Sequence, residues 1–393
     1  LNNLIINLFL GLSAGGSVVV AQYFGMKSWE DVEETVHTAM LMGLIIGVAL
    51  VFIGFFLAEP LLTLMGTTLD VIDQAVLYMR IVFAGMPALM VYDFGAGVLR
   101  AIGDTRRPLL YLFCGGVINV GFNLFFVIVC HLDVAGVAIG TVMSQVVSAA
   151  LTVRCLVKSE TACRLTIKRL RIVRHKLWRI LRVGLPAGIQ STVFNISNVL
   201  IQSAINSFDD SVIVAGNTAS VNIEGFVFTA MQAFYQASLT FTSQNAGAHR
   251  VERVAPILRW NLLFVAVTGV VLGGLAALFG EQLLHIYSPS AAVVSYGLIR
   301  LRLIGATYFL DGLMDVTCGS IRGIGPSITP TVISLTGACL LRIVWIYTVF
   351  AANHTLFALY ISYPISWVLC FAANLIAFAI FFRSFRRRAQ AAK

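Results

Sequence analysis

The chain has 393 residues, of which 59% are hydrophobic and only 11% charged, and its mean hydropathy is +0.89. Soluble domains carry roughly a quarter charged residues, so this composition excludes a water-soluble globule and makes lipid the solvent. The formal net charge of +9 does not point to nucleic acid, because the basic residues sit in the gaps between apolar runs.

A spanning helix needs about 20 mostly apolar residues. Eleven runs meet that requirement in chain order: residues 1–24, 36–58, 74–99, 108–130, 134–157, 180–206, 212–243, 256–280, 292–320, 328–350 and 355–382. They are too long for the strands of a membrane barrel and lack its alternation. The expected fold class is therefore an all-α polytopic membrane protein with its helices in two pseudo-symmetric bundles. Most gaps are short, which makes successive helices antiparallel neighbours. The exception is Lys158 to Arg179, a basic amphipathic connector. It divides the chain into a lobe at 1–157, a linker at 158–179 and a six-helix lobe at 180–393. The seven cysteines have no paired spacing and the six histidines no ligand spacing, so neither a disulfide framework nor a metal site is expected.

Lys and Arg set the orientation. When the gaps are taken alternately, one set holds 23 of the 27 basic residues, among them Arg100, Arg106, Arg107, the linker cations and the tail from Arg383 to Lys393. The other gaps hold none and carry acids such as Asp133, Asp209 and Glu281. The basic side, with the C-terminus, is expected to be cytoplasmic. The tail Phe381 to Arg388 reads as a stop-transfer anchor on anionic lipid.

A shift of 222 residues aligns the two halves without a gap. Gln22 falls on Gln244, Gly25 on Gly247 and Asp93 on Asp315. Leu99 to Pro108 falls on Ile321 to Pro330, which pairs Arg100 with Arg322 and Gly103 with Gly325. Chance matches between apolar helices do not hold one register while matching Arg, Gly, Pro and Gln. An even number of spans separates matched positions, so the repeats are parallel. The run 180–206 has no partner, and the expectation is a parent protein of six plus six spans whose first helix is absent here.

At these residues the chain resembles the multidrug and toxic-compound extrusion (MATE) family. The resemblance rests on the helix ends Gln22 to Gly25 and Gln244 to Gly247, the turns Arg100 to Asp104 and Arg322 to Gly325, and GLPAGIQ at Gly184 to Gln190. It implies two six-helix lobes and export of amphiphilic, often cationic compounds in exchange for sodium ions or protons. Asp311 lies eleven residues before Arg322, a spacing that matches the family's cation-coupling aspartate, and the role is carried over on that ground. Several members place an acid near the position of Asn195, so this chain departs from the family there.

Ionisable groups inside spans are costly and are functional candidates by default. Asp93, Glu224, Asp311 and Asp315 qualify. Asp315 is one turn beyond Asp311 on the same face. Two carboxylates so placed resist simultaneous ionisation and would titrate as a unit. The alternative is an inert ion pair with Arg342 or Arg302. Glu224 opens a stripe with Phe228, Gln232 and Gln236, which suits a flat cation through charge and cation–π contact. Helix–helix hydrogen bonding is the alternative. Ser191, Asn195, Asn198, Gln202 and Asn206 form a second polar stripe, which should face the bundle or a wet cavity rather than lipid. Asn119 and Asn123 form a smaller one. Arg100, Gly103, Arg322 and Gly325 are expected to be structural, as helix ends where a cation meets the C-terminal dipole. The paired Gln22 and Gln244 belong with them. Asp93 is expected to have an interfacial role.

The expected function is a secondary antiporter of the inner membrane, acting as a monomer on a small-molecule substrate in the bilayer. No cofactor is expected besides the coupling ion. A lipid-linked precursor flippase would need an arginine-rich cavity for pyrophosphate. Only Arg80, Arg300, Arg302 and Arg342 could supply it. An intramembrane enzyme lacks a metal motif or nucleophile elbow, and a receptor or channel fits the two-fold repeat less well.

Overall fold

The computed structural model describes residues 2–64 and 69–391; Leu1 of the first run and Lys393 of the basic tail lie outside it. Among the described residues every regular element is helical. Seven of the described helices are long and apolar enough to cross a membrane, or nine spans if each bent pair is one. The other two expected spans are long helices of 33 and 37 residues that carry the polar stripes, α7 (Arg174–Asn206) and α8 (Ser211–Gly247).

The chain forms two compact units, residues 1–188 and 189–393. The linker and the first part of α7 thus belong with the first unit. That unit contains α1 (Asn2–Met26), α2 (Trp29–Leu64), α3 (Leu69–Ala84), α4 (Met86–Ala101), α5 (Arg106–Leu124) and α6 (Asp133–Val157). Val20, Val36, Phe83, Met90, Phe94 and Leu156 fill its core. The run expected at 74–99 is broken: α3 and α4 meet at a 44° bend. Pro87 stands in the first turn of α4, where it ends the preceding helix and starts the next. Backbones approach closely where α1 crosses the first part of α7. A Cβ on Gly11 would come within 2.1 Å of the Gly188 nitrogen, and one on Gly15 within 2.5 Å of the Ile180 carbonyl. Lipid supplies no hydrophobic drive between helices, so packing of this closeness has to hold them.

The second unit contains α8, α9 (Val251–Leu278), α10 (Gly280–Tyr287), α11 (Ala291–Arg300), α12 (Phe309–Ile324), α13 (Ile328–Ser334), α14 (Leu341–Trp345), α15 (Leu356–Tyr360) and α16 (Ser362–Ala391). A wider π-helical turn at Leu301–Gly305 extends α11, and α12 then leaves at 41°. α12 is the central element. Gly312 admits Met231 of α8 and Val265 of α9, while Gly319 lies against the Tyr235 carbonyl.

The repeat is legible within each unit. The two bends fall in matched places. Lys27 and His249, 222 residues apart, both adopt left-handed backbone, with φ of 59° and 53°. Each closes its helix with matched hydrogen bonds: Lys27 N–H to the Phe24 carbonyl, and His249 N–H to the Ala246 carbonyl. Gly103 and Gly325 have φ of 95° and 134°, a conformation open to glycine at little cost, and both donate to the carbonyl of the matched arginine.

Candidate functional site

The polar residues of the second unit form a core built on three arginines. Arg300 ends α11 and reaches Glu224 of α8 with both arms of its guanidinium, Nε to Oε1 at 3.0 Å and Nη2 to Oε2 at 2.8 Å. Its third nitrogen donates to Asn217 Oδ1 at 2.9 Å, which also accepts from the Tyr360 hydroxyl at 3.2 Å. Asn217 donates to Gln202 Oε1, and Gln202 donates to Asn206 Oδ1. Both charges are buried, Glu224 at 4% and Arg300 at 5% exposure. A planar guanidinium matches a carboxylate in this two-pronged geometry.

Arg342 of α14 is 2% exposed. Its Nε donates to Ser366 Oγ at 2.9 Å, and its guanidinium lies 4.1 Å from the Tyr363 ring centre. Its Nη2 is buried without a partner. Arg322, in the last turn of α12, donates to the Tyr235 hydroxyl, Gln190 Oε1 and Thr331 Oγ1. It therefore ties α12 to α8, to the second part of α7 and to α13.

Between these arginines stand the two aspartates. Asp311 falls in the first turn of α12 because the helix restarts after the bend. The unpaired N–H groups of a helix start favour an anion there. Asp311 is 7% exposed, and its Oδ2 has no hydrogen-bond partner. Asp315, one turn on, accepts from Gln232 Nε2 at 2.7 Å. Among the described residues neither makes an ion pair within 4.0 Å. The pairing considered with Arg342 or Arg302 is therefore not made. Arg302 is exposed.

The expected stripe on α8 does not form one surface. Glu224 turns into the core, whereas Phe228 is 43% exposed, Gln232 serves Asp315, and Gln236 is half-buried. The divergence follows from Arg300, which draws the acid inward. On α7, Asn195 donates to its own helix at the Ser191 carbonyl. Asn198 is exposed, and Gln202 joins the Arg300 network. In the first unit Asn123 donates to Asn119, which donates to Thr141 of α6. Asp93 is half-buried with Oδ2 unpartnered, deeper than an interfacial role implies. Asp31, Glu34 and His175 bring ligand-type atoms within 4.8 Å of one another, but Lys176 and Arg171 already compensate the two acids. Sequence reasoning missed the Arg300 and Arg342 networks. Their partners lie far along the chain, and the usable signal was a departure from the repeat: Glu224, Arg300, Asp311 and Arg342 match Asn2, Tyr78, Leu89 and Val120.

Helical units built on one repeat, with carboxylates buried among the helices, are an arrangement that many membrane transporters share. The MatE family pattern matches residues 1–125 and 186–348, and the chain belongs to that family, whose members are efflux transporters rather than enzymes. It is 26% identical over 341 residues to the probable multidrug resistance protein YoeA of Bacillus subtilis (strain 168), covering 84% of this chain and 73% of YoeA. It is 22% identical to the FAD transporter of Shewanella oneidensis, covering 86% of this chain and 76% of that protein. Its fold is that of a solved structure described as the outward-facing conformation of a multidrug resistance MATE family transporter, with a TM-score of 0.91, 22% identity, and 98% and 86% of the two chains covered.

Proposed function

We propose that the protein exports amphiphilic cations across the inner membrane in exchange for sodium ions or protons, with Asp311 as the coupling carboxylate and Asp315 as its modulator. The observation that carries this reading is the unpaired Asp311. Glu224 is already neutralised by Arg300, while Asp311 keeps a buried oxygen that no protein group hydrogen-bonds. A buried carboxylate in that condition favours taking up a proton or metal cation. Coupling requires that a substrate cation and the coupling ion compete for it and prefer different states of the carrier. Asn195, Asn198, Phe228 and Gln236 are left for substrate contact. Asn119 and Asn123 play that part in the first unit. The protein acts as a monomer with its C-terminus in the cytoplasm. Three of the four arginines that a flippase would need already have partners. Arg300 is bound to Glu224 and Arg342 to Ser366, while Arg80 faces Glu59 at 3.7 Å.

The test is efflux of a cationic dye from proteoliposomes under a sodium gradient and, separately, a proton gradient. Asp311→Asn is expected to abolish driven efflux in a protein that still folds. Asp315→Asn is expected to shift the pH or sodium dependence while transport persists. Wild-type efflux by a well-folded Asp311→Asn carrier overturns the assignment.

A further inference from the structure

A groove of about 490 Å³ opens between the basic-side ends of α8 and α9, lined by Phe241, Asn245, Arg253, Pro256, Trp260 and Phe264 among others. Three of these are large apolar side chains left open: Phe241 is 52% exposed, Trp260 58% and Phe264 52%. Trp260 and Phe264 stack with ring centres 5.8 Å apart.

The matched positions of the first unit are covered by the chain itself. Asn245, Arg253, Pro256 and Trp260 match Tyr23, Asp31, Glu34 and Thr38 under the 222-residue shift. All four of those residues hold the linker or the start of α7. Lys176 pairs with Asp31 and sits 3.7 Å from the Tyr23 ring centre. Arg171 binds Glu34 at 2.7 Å, and Thr38 Oγ1 accepts from the Val173 N–H. Two of those four positions are acidic, and the segment that covers them is basic.

In the second unit that charge pattern is reversed. Arg253 stands where Asp31 is, Arg259 where His37 is, and Ala255 and Pro256 replace Glu33 and Glu34. Glu252 remains as the one acid, in the place of Glu30. A basic segment like the linker is not complementary to this groove. We propose that it binds an anionic phospholipid, with the headgroup phosphate on Arg253 and an acyl chain along Trp260, Phe264 and Phe241. Aromatic side chains with an apolar body belong at that level of the bilayer, and arginine matches phosphate geometry.

The experiment measures quenching of Trp260 fluorescence in reconstituted full chain, taken as the difference between the wild type and Trp260→Phe. The quenchers are dibrominated phosphatidylglycerol and dibrominated phosphatidylcholine at equal low mole fraction. The brominated phosphatidylglycerol is expected to quench at least twofold more strongly. Arg253→Gln is expected to abolish the difference and Arg253→Lys to retain it. Equal quenching by the two lipids overturns the proposal, as does a preference that survives Arg253→Gln. Shielding of Trp260 from both lipids means that polypeptide fills this groove as it covers the matched positions of the first unit, and overturns it too.

Discussion

At the scale of single residues, a buried charge is safe only with its partner. Removing one member of the Glu224–Arg300 pair leaves a guanidinium in the core with its forked acceptor gone. Glu224→Gln is therefore expected to cost about 3–5 kcal/mol, seen as a lowered thermal midpoint in detergent. The double change Glu224→Met with Arg300→Met is expected to recover most of that loss, because an apolar pair needs no compensation. Cys163, in the linker, offers a second test. It is fully buried, and burial pushes its thiol up to about 12. The thiolate is the reactive form, so Cys163 should resist maleimide at pH 7–8 while the exposed Cys130 reacts. The sequence made Asp311 and Asp315 visible because charge is conspicuous in an apolar run. It did not show which acid Arg300 takes, because Arg300 and Glu224 lie 76 positions apart.

At the scale of elements, the two bends have different origins. Pro87 announces the first in the sequence. Its counterpart is Phe309, which breaks nothing by itself. The second bend follows a π-helical turn where Gly273 of α9 admits the Gly305 carbonyl, so closely that a Cβ there would lie 2.1 Å away. Tertiary packing shapes that helix, and no local pattern reveals it. The α1–α7 crossing is likewise made of glycine against glycine. Gly184→Leu is expected to drive a side chain into the Leu12 backbone and to abolish the folded monomer in size-exclusion chromatography. Gly116→Leu, at an exposed site with nothing within 4 Å, is expected to leave it unchanged.

At the scale of the whole molecule, helical class was legible because lipid forces long apolar helices, and the repeat was legible because its register survives in arginine, glycine and proline. The polar core was legible only in part, since it is built where the second half departs from the first. The orientation is testable as a unit. Cysteine at Arg387 is expected to label only from the cytoplasmic side and cysteine at Glu281 only from outside; the opposite result inverts the topology.

Under the proposed exchange, the Glu224–Arg300 pair also limits how the carrier can respond to voltage. A carboxylate held by a fixed guanidinium contributes no movable charge, so the coupling site proposed in the second unit exchanges at most the two charges of Asp311 and Asp315. A cycle that trades one proton or sodium ion for one univalent drug is then electroneutral and indifferent to membrane potential. A cycle that uses both aspartates carries one net charge, worth about 2.3 kcal/mol per 100 mV. A potassium–valinomycin potential imposed on the vesicles therefore reads out how many of the two acids take part.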